Sequence, residues 1–238
     1  MKHRINNAGF FTLSFKKAWV GGLICLTTLV SGYSISALAS GGESVDLMTA
    51  PVNLDDKASL QRGARLFTDY CMGCHSLNYI RYERLTNDLL IPTETVNEEF
   101  LFGDADIHSQ MRIAASAESQ SKWFGVQPPD LTLSSRIHGP DWIYSYLLSF
   151  YEDPERPLGV NNHVFENVGM PHVMKNMQDR VSEADFKQAM GDITNFLSYT
   201  GDPTKAQRES IGRWVLIFLA VLFIPAWLLN REYWKNIH

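Results

Sequence analysis

Cysteine is nearly absent from this chain: three residues in 238. One of them, Cys25, lies in an apolar N-terminal run that an exported protein would lose. Only Cys71 and Cys74 then remain, too few for a disulfide framework even in an oxidising compartment. A second C-x-x-C is also missing, which weakens any zinc reading, and no βαβ pattern surrounds the first, which weakens a thioredoxin-like one. Positive charge is not in excess, with 21 Lys and Arg against 26 Asp and Glu and a formal charge of −5. That balance argues against nucleic acid and is compatible with a basic protein partner. No internal repeat, low-complexity tract or convincing alternating strand is visible.

Long hydrophobic runs are lacking everywhere except at the two ends. The N-terminus carries Lys2, Arg4, Lys16 and Lys17, then an apolar stretch from Ala18 to Val30, then Ala37-Leu38-Ala39. A basic region, an apolar region and an A-x-A site together predict an export signal over 1–39. An uncleaved anchor is the alternative, because the basic region is long. Cleavage removes four bases and no acid, leaving the exported chain four units more negative than −5. At the other end Trp214 to Leu229 is sixteen residues without a charge. With Ile211, Gly212 and a snorkelling Arg213 it approaches the ~20 residues a spanning helix needs. Pro225 would kink this helix rather than abolish it, and Trp214, Trp227 and Trp234 flank it as an interfacial belt. The expected organisation is therefore an export signal (1–39), an exported domain (40–205) and an anchor with a short cytoplasmic tail (206–238).

Within the exported domain the apolar period predicts three helices. Leu60, Ala64, Phe67 and Cys71 share one face of a helix from about Asp56 to Tyr70. Ile143, Leu147 and Phe150 share another, from Asp141 to Tyr151. Ser182 and Asp185 resemble a capping box opening a helix whose stripe is Phe186, Ala189, Met190, Ile193, Phe196 and Leu197, ended by Gly201-Asp202-Pro203. The remaining connections are long, and they read as loops wrapped around something other than their own side chains.

Against this background stands Cys71-Met72-Gly73-Cys74-His75. If helical geometry continues through it, Cys71, Cys74 and His75 project from one face within a turn. That suits two thioether bonds at a porphyrin edge and an imidazole on its iron, the C-x-x-C-H attachment of haem c. His75 is then the proximal ligand. The second axial position decides between an open site for small reactants and a closed electron carrier. Candidates are Met111, His138, His163, Met170, His172, Met174, Met177 and Met190. Met190 falls on a core stripe, and His138 and His163 on solvated loops. Met170, between Gly169 and Pro171, has the most constrained backbone, with His172 and Met174 as neighbouring competitors.

The ordered set CMGCHSLNYIRYERL, QPPDLTLSSR, HGPDWIYSYLLSFYEDP and NNHVFENVGMPHV, followed by one C-terminal span, resembles the cytochrome c1 family, the haem subunit of the cytochrome bc1 complex, in its short bacterial form. The likeness runs from Leu54 to the C-terminus. It implies a mainly α, c-type haem domain with long loops and one transmembrane helix. It implies covalent haem c on Cys71 and Cys74, iron ligation by His75 and Met170, and packing of Pro128, Pro129 and Leu131 on the haem. Arg136 lies where the family supplies a propionate partner. Two departures stand out: His172-Val173-Met174 follows Met170-Pro171, and Lys122-Trp123-Phe124-Gly125-Val126 replaces a stretch usually rich in asparagine and glycine.

The implied function is one-electron transfer from a Rieske iron–sulfur protein to a cytochrome c, in a dimeric complex that also contains cytochrome b. The haem domain would lie on the periplasmic side of a bacterial inner membrane, and no substrate bond would be made or broken on this chain. The alternatives are a membrane-anchored, peroxidase-like haem enzyme with a vacant distal position, and a haem subunit of a terminal oxidase.

Overall fold

A computed structural model describes residues 45–235. The expected export segment, its cleavage site and Cys25 lie outside the described residues.

The first helix, α1 (Lys57–Tyr70), starts because Asp56 caps it, its carboxylate accepting from the Ser59 N–H at 3.0 Å. That cap satisfies one of the otherwise unpaired N-terminal donors. The predicted face of Leu60, Ala64, Phe67 and Cys71 is buried. Its main packing partner is α8 (Glu183–Gly201), where Ser182 Oγ accepts from the Asp185 N–H at 3.1 Å. Phe186, Met190, Ile193, Phe196 and Leu197 face inward, as their spacing requires.

The helices α1 and α8 cross at Gly63, where a β-carbon would lie 2.1 Å from the Asp192 carbonyl oxygen. Phe67 packs on Phe196 beside this crossing, ring centroids 5.8 Å apart. Asp192, buried in the seam, accepts from Ser59 Oγ (2.7 Å) and from both Nε and Nη2 of Arg62 (2.7 and 2.9 Å). The fork supplies the donors that a buried carboxylate needs. Gly63→Ala is therefore expected to lower stability by about 1–3 kcal/mol, because backbone cannot yield as a side-chain tip can. A shift of the denaturant midpoint at unchanged slope measures it.

The chain between α1 and α8 departs from expectation in two ways. First, short elements form where none were expected. These are α2 (Glu83–Asn87), α3 (Thr93–Glu99), α4 (Ala117–Phe124), α5 (Ser134–His138) and α7 (Lys175–Gln178). Two antiparallel ribbons accompany them. One pairs β1 (Leu77–Arg81) with β2 (Gln110–Met111), and the other pairs β3 (Phe150–Glu152) with β4 (Val160–Asn162). Most of these strands are two or three residues long, too short for alternation to register. Second, these segments contribute side chains to the core that α1 and α8 form. Leu77, Ile80, Tyr82, Leu85, Leu89, Val96, Phe100 and Met111 are all buried in one cluster with the α1 face.

The expected helix over Asp141–Tyr151 is α6 (Pro140–Leu148), ending three residues early. Asn162, arriving from β4, donates to the Tyr146 carbonyl at 2.7 Å and accepts from Ser149 Oγ at 3.0 Å. The carbonyl that would continue the helix is thereby engaged, and Phe150-Tyr151 passes into β3.

The C-terminal helix α9 (Lys205–Tyr233) runs 29 residues and contains Pro225. Within Gln207–Tyr233 an 18-residue stretch reaches a mean hydropathy of 2.1, with none of that stretch buried. At about 1.5 Å per residue it exceeds the ~30 Å hydrocarbon core of a bilayer. The architecture is thus mainly α, with a single candidate span among the described residues.

Candidate functional site

The C-x-x-C-H segment begins where α1 stops. Cys71 is the C-cap, its N–H donating to the Phe67 carbonyl at 2.9 Å. Cys74 N–H and His75 N–H then both donate to the Cys71 carbonyl, at 3.1 and 2.9 Å. The helix does not run through the motif, but a single turn closed on the Cys71 carbonyl continues its path as far as His75. Gly73 at its apex has open space around it.

Neither thiol is combined with another sulfur. Burial, with a smaller push from the neighbouring Cys74, drives the Cys71 thiol up to about 12. A thiol that stays protonated across the physiological range is a poor redox nucleophile, which weighs against a dithiol function. Among the described residues no three His, Cys, Asp or Glu side chains gather to hold a metal ion.

His75 is 8% exposed. Burial lowers its pKa, opposed by its hydrogen bond to Pro129 and by Asp130. Nδ1 lies 2.7 Å from the Pro129 carbonyl oxygen, which can only accept, so Nδ1 carries the proton. Nε2 is left with its lone pair, as an iron ligand requires. The Pro129 carbonyl is itself held in place. Asp130 accepts from Asn78 N–H (2.7 Å) and Thr132 N–H (3.0 Å), and Leu131 N–H donates to the Ser76 carbonyl (3.0 Å). Pro129 and Leu131 are thereby tied to the C-x-x-C-H turn and to the residue that follows it.

Most candidates for the second axial position are engaged elsewhere. Met174, Met111 and Met190 are in the apolar core. His172 bonds to Gln178 at 2.6 Å and stacks on Phe150 at 4.9 Å. His138 stacks on Trp142 and His163 on Tyr151, and Met177 packs against the core. Met170 is half-buried and outside the core, and its sulfur accepts from the Tyr146 hydroxyl at 3.5 Å.

Its loop is fastened by two asparagines. Asn162 Oδ1 accepts from the N–H groups of Val164 and Phe165, and Asn161 Oδ1 from those of Asn162 and Asn167. The segment from Val126 to Pro129 links this loop to the proximal side. Val126 lies beside Gly169, the residue before Met170, while Pro129 holds His75. The preceding Trp123, in the stretch that departs from the family, is 66% exposed.

Arg136 holds an ion pair at the C-terminal end of α8. Its Nη1 donates to Asp202 at 3.1 Å, and Arg208 of α9 shares that carboxylate at 2.6 Å. The cluster sits where the haem-motif domain joins the apolar helix. Tyr146, Asn161 and Asn162 carry no role in the sequence reading. The only local signal for them was their place in the NNHVFENVGM and YSYLLSF strings, because a hydroxyl or amide acquires its task from the fold.

Two uncombined thiols, a neutral imidazole with a free Nε2 and a thioether outside the core form a donor set that fits a c-type haem. Burial holds the Tyr146 phenol up at about 12, so it remains a donor. Were Met170 to ligate the iron, this hydrogen bond would withdraw electron density from its sulfur and favour ferrous iron. Tyr146→Phe is therefore expected to lower the midpoint potential by about 20–60 mV, the equivalent of one net hydrogen bond. A redox titration of the haem band checks it.

Comparison with known proteins agrees with this reading. The Cytochrome C1 family profile matches residues 48–121 and 109–237. The cytochrome c1 of Allochromatium vinosum is 44% identical, over 91% of this chain and 99% of its own length. A protein of Nitrosomonas europaea named ammonia monooxygenase gamma subunit is 33% identical, over 84% of this chain and 92% of its own. The cytochrome c1 of Cereibacter sphaeroides is 24% identical, over 85% and 91%. The chain belongs to the cytochrome c1 family, and with that membership go a covalently bound c-type haem and attachment to a membrane.

Proposed function

We propose that the chain is the electron-transfer subunit of a bc1-type quinol–cytochrome c reductase. It takes one electron from a Rieske iron–sulfur protein and gives it to a cytochrome c. Cytochrome b would be its third partner, in a dimeric complex of a bacterial inner membrane. Residues 1–39 are the export signal, 40–205 the periplasmic haem domain and 206–238 the anchor with its cytoplasmic tail.

The observation that carries this reading is His75 fixed in the ligating tautomer, with the half-buried Met170 sulfur outside the core as the candidate for the second axial position. One haem c, bound through Cys71 and Cys74, supplies a one-electron iron couple. The protein supplies everything around it. His75 Nε2 and Met170 Sδ would ligate the iron and close it to small reactants. Pro128, Pro129 and Leu131 would pack on the porphyrin. Arg136, a guanidinium fork suited to carboxylates, would take a propionate with the nitrogens that Asp202 leaves free. The anchor keeps donor and acceptor on one membrane, which raises their effective concentration.

Purification of the intact assembly from membranes in mild detergent tests the assignment. Cytochrome b and a Rieske protein should travel with the chain, and quinol should reduce its haem. Co-purification with an ammonia monooxygenase instead, as the name of the Nitrosomonas relative suggests for that protein, would move this chain to another complex with the same haem chemistry.

A further inference from the structure

The loop that carries Met170 is held from a direction the ligand set does not include. The β3–β4 hairpin turns over residues 153–159, where Arg156 N–H donates to the Asp153 carbonyl and Gly159 N–H to the Arg156 carbonyl, at 3.1 and 2.9 Å. From this turn Arg156 Nη1 reaches Asn167 Oδ1 at 2.9 Å, three residues before Met170. Asn167 has φ +60°, in the left-handed region that asparagine tolerates better than other side chains bearing a β-carbon. Its N–H is taken by Asn161, whose amide in turn donates to Asp153 of the same hairpin, at 3.0 and 3.1 Å.

The hairpin thus grips Asn167 at both its backbone and its side chain. Beyond it Val168 is buried and Gly169 has only Val126 nearby, so Asn167 fixes the backbone approach to Met170 while the Tyr146 hydroxyl holds its sulfur. Arg156 Nε is buried without a partner. An unsatisfied buried N–H is unfavourable and persists only where other contacts fix the group, and here the contact is the one to Asn167.

We propose that Arg156 is a positioning residue for the Met170 ligand: the hairpin guanidinium locks the left-handed Asn167, and so keeps the methionine sulfur at the iron. The proposal rests on Met170 being that ligand. Three variants of the full chain in its membrane assembly test it: Arg156→Met, Arg156→Lys and Asn167→Gly. Asn167→Gly keeps the left-handed backbone while removing the acceptor.

The readouts are the weak red charge-transfer band of sulfur on ferric haem, followed with temperature, and carbon monoxide binding to the reduced protein. Global unfolding is followed separately. Arg156→Met and Asn167→Gly should lose the band well below the temperature of global unfolding and gain carbon monoxide binding. Arg156→Lys, which can still donate, should recover most of the native behaviour. If both disruptive variants keep the band up to global unfolding and stay inert to carbon monoxide, Arg156 braces the fold only and the proposal fails. Should Arg156→Met fail to accumulate, Asn167→Gly alone decides between these outcomes. A Met170→Leu control separates the two levels. A native band in that control overturns the ligand assignment itself, whereas its loss alongside unaffected Arg156 and Asn167 variants overturns only the positioning role.

Discussion

Met170→Leu is expected to leave the haem attached, lower its potential and let the reduced protein bind carbon monoxide. Attachment should survive because Cys71, Cys74 and His75 sit on a different segment, in a turn closed by its own hydrogen bonds to the Cys71 carbonyl. Leucine is close to methionine in volume, so the packing cost is under about 1.5 kcal/mol, and the change isolates the sulfur. The iron loses a soft ligand that favours its ferrous state, and Tyr146 loses the acceptor it holds at 3.5 Å. The potential should fall by a substantial part of the roughly 0.8 V range over which axial ligands set haem potentials. Redox titration and carbon monoxide difference spectra measure both effects. His172 and Met174 make informative comparisons. His172 is held by Gln178 and Phe150, and Met174 is in the core, so His172→Ala and Met174→Leu should keep the native spectrum. A native spectrum for Met170→Leu with loss in either of the others would reverse the assignment.

Replacing Cys71 and Cys74 together by serine is expected to abolish covalent haem completely, since a hydroxyl forms no thioether. The sequence, with its long connections, suggested that the domain would unfold as well. The structure argues for a milder outcome. The seam between α1 and α8 is held by Phe67 on Phe196 and by Asp192 with Ser59 and Arg62. The segments from Leu77 to Met111 bury their apolar side chains in the same cluster as α1 and α8. The direct cost is a serine hydroxyl at the buried Cys71 position, about 1–3 kcal/mol. Circular dichroism should show most helix retained, while a haem-stained denaturing gel shows no colour in the band. Colour retained in that band would contradict the attachment sites.

The parts of the fold that the sequence revealed are those with a local physical signature. The period of Leu60, Ala64 and Phe67 and the cap at Ser182 placed α1 and α8 to within a residue, because a buried stripe and a satisfied N-terminus both leave marks in neighbouring residues. The end of α6 was misplaced because the group that ends it, the Asn162 amide, comes from sixteen residues further along the chain. The ribbons were missed because pairs such as Leu77 with Met111 need the tertiary fold to bring them together.

The candidate site divides along the same line. C-x-x-C-H is legible because its spacing is the chemistry. The tautomer of His75 is not, because it depends on a backbone carbonyl at Pro129 that no residue type announces. The resemblance singled out Met170 from several local candidates, and the structure adds that Met111, Met174 and Met190 lie in the apolar core and that His138, His163 and His172 stack on aromatic rings. Tyr146 was named only as part of a helix, and its hydroxyl acquires meaning from the sulfur it meets.

The central claim is that haem is bonded to this polypeptide through Cys71 and Cys74 and held between His75 and Met170. The most direct test is to isolate the chain from membranes in mild detergent, record its reduced spectrum, and then extract it with acidified acetone. A low-spin spectrum unchanged by carbon monoxide, with the colour staying in the protein precipitate, is the predicted result. Colour that passes into the acetone would contradict it.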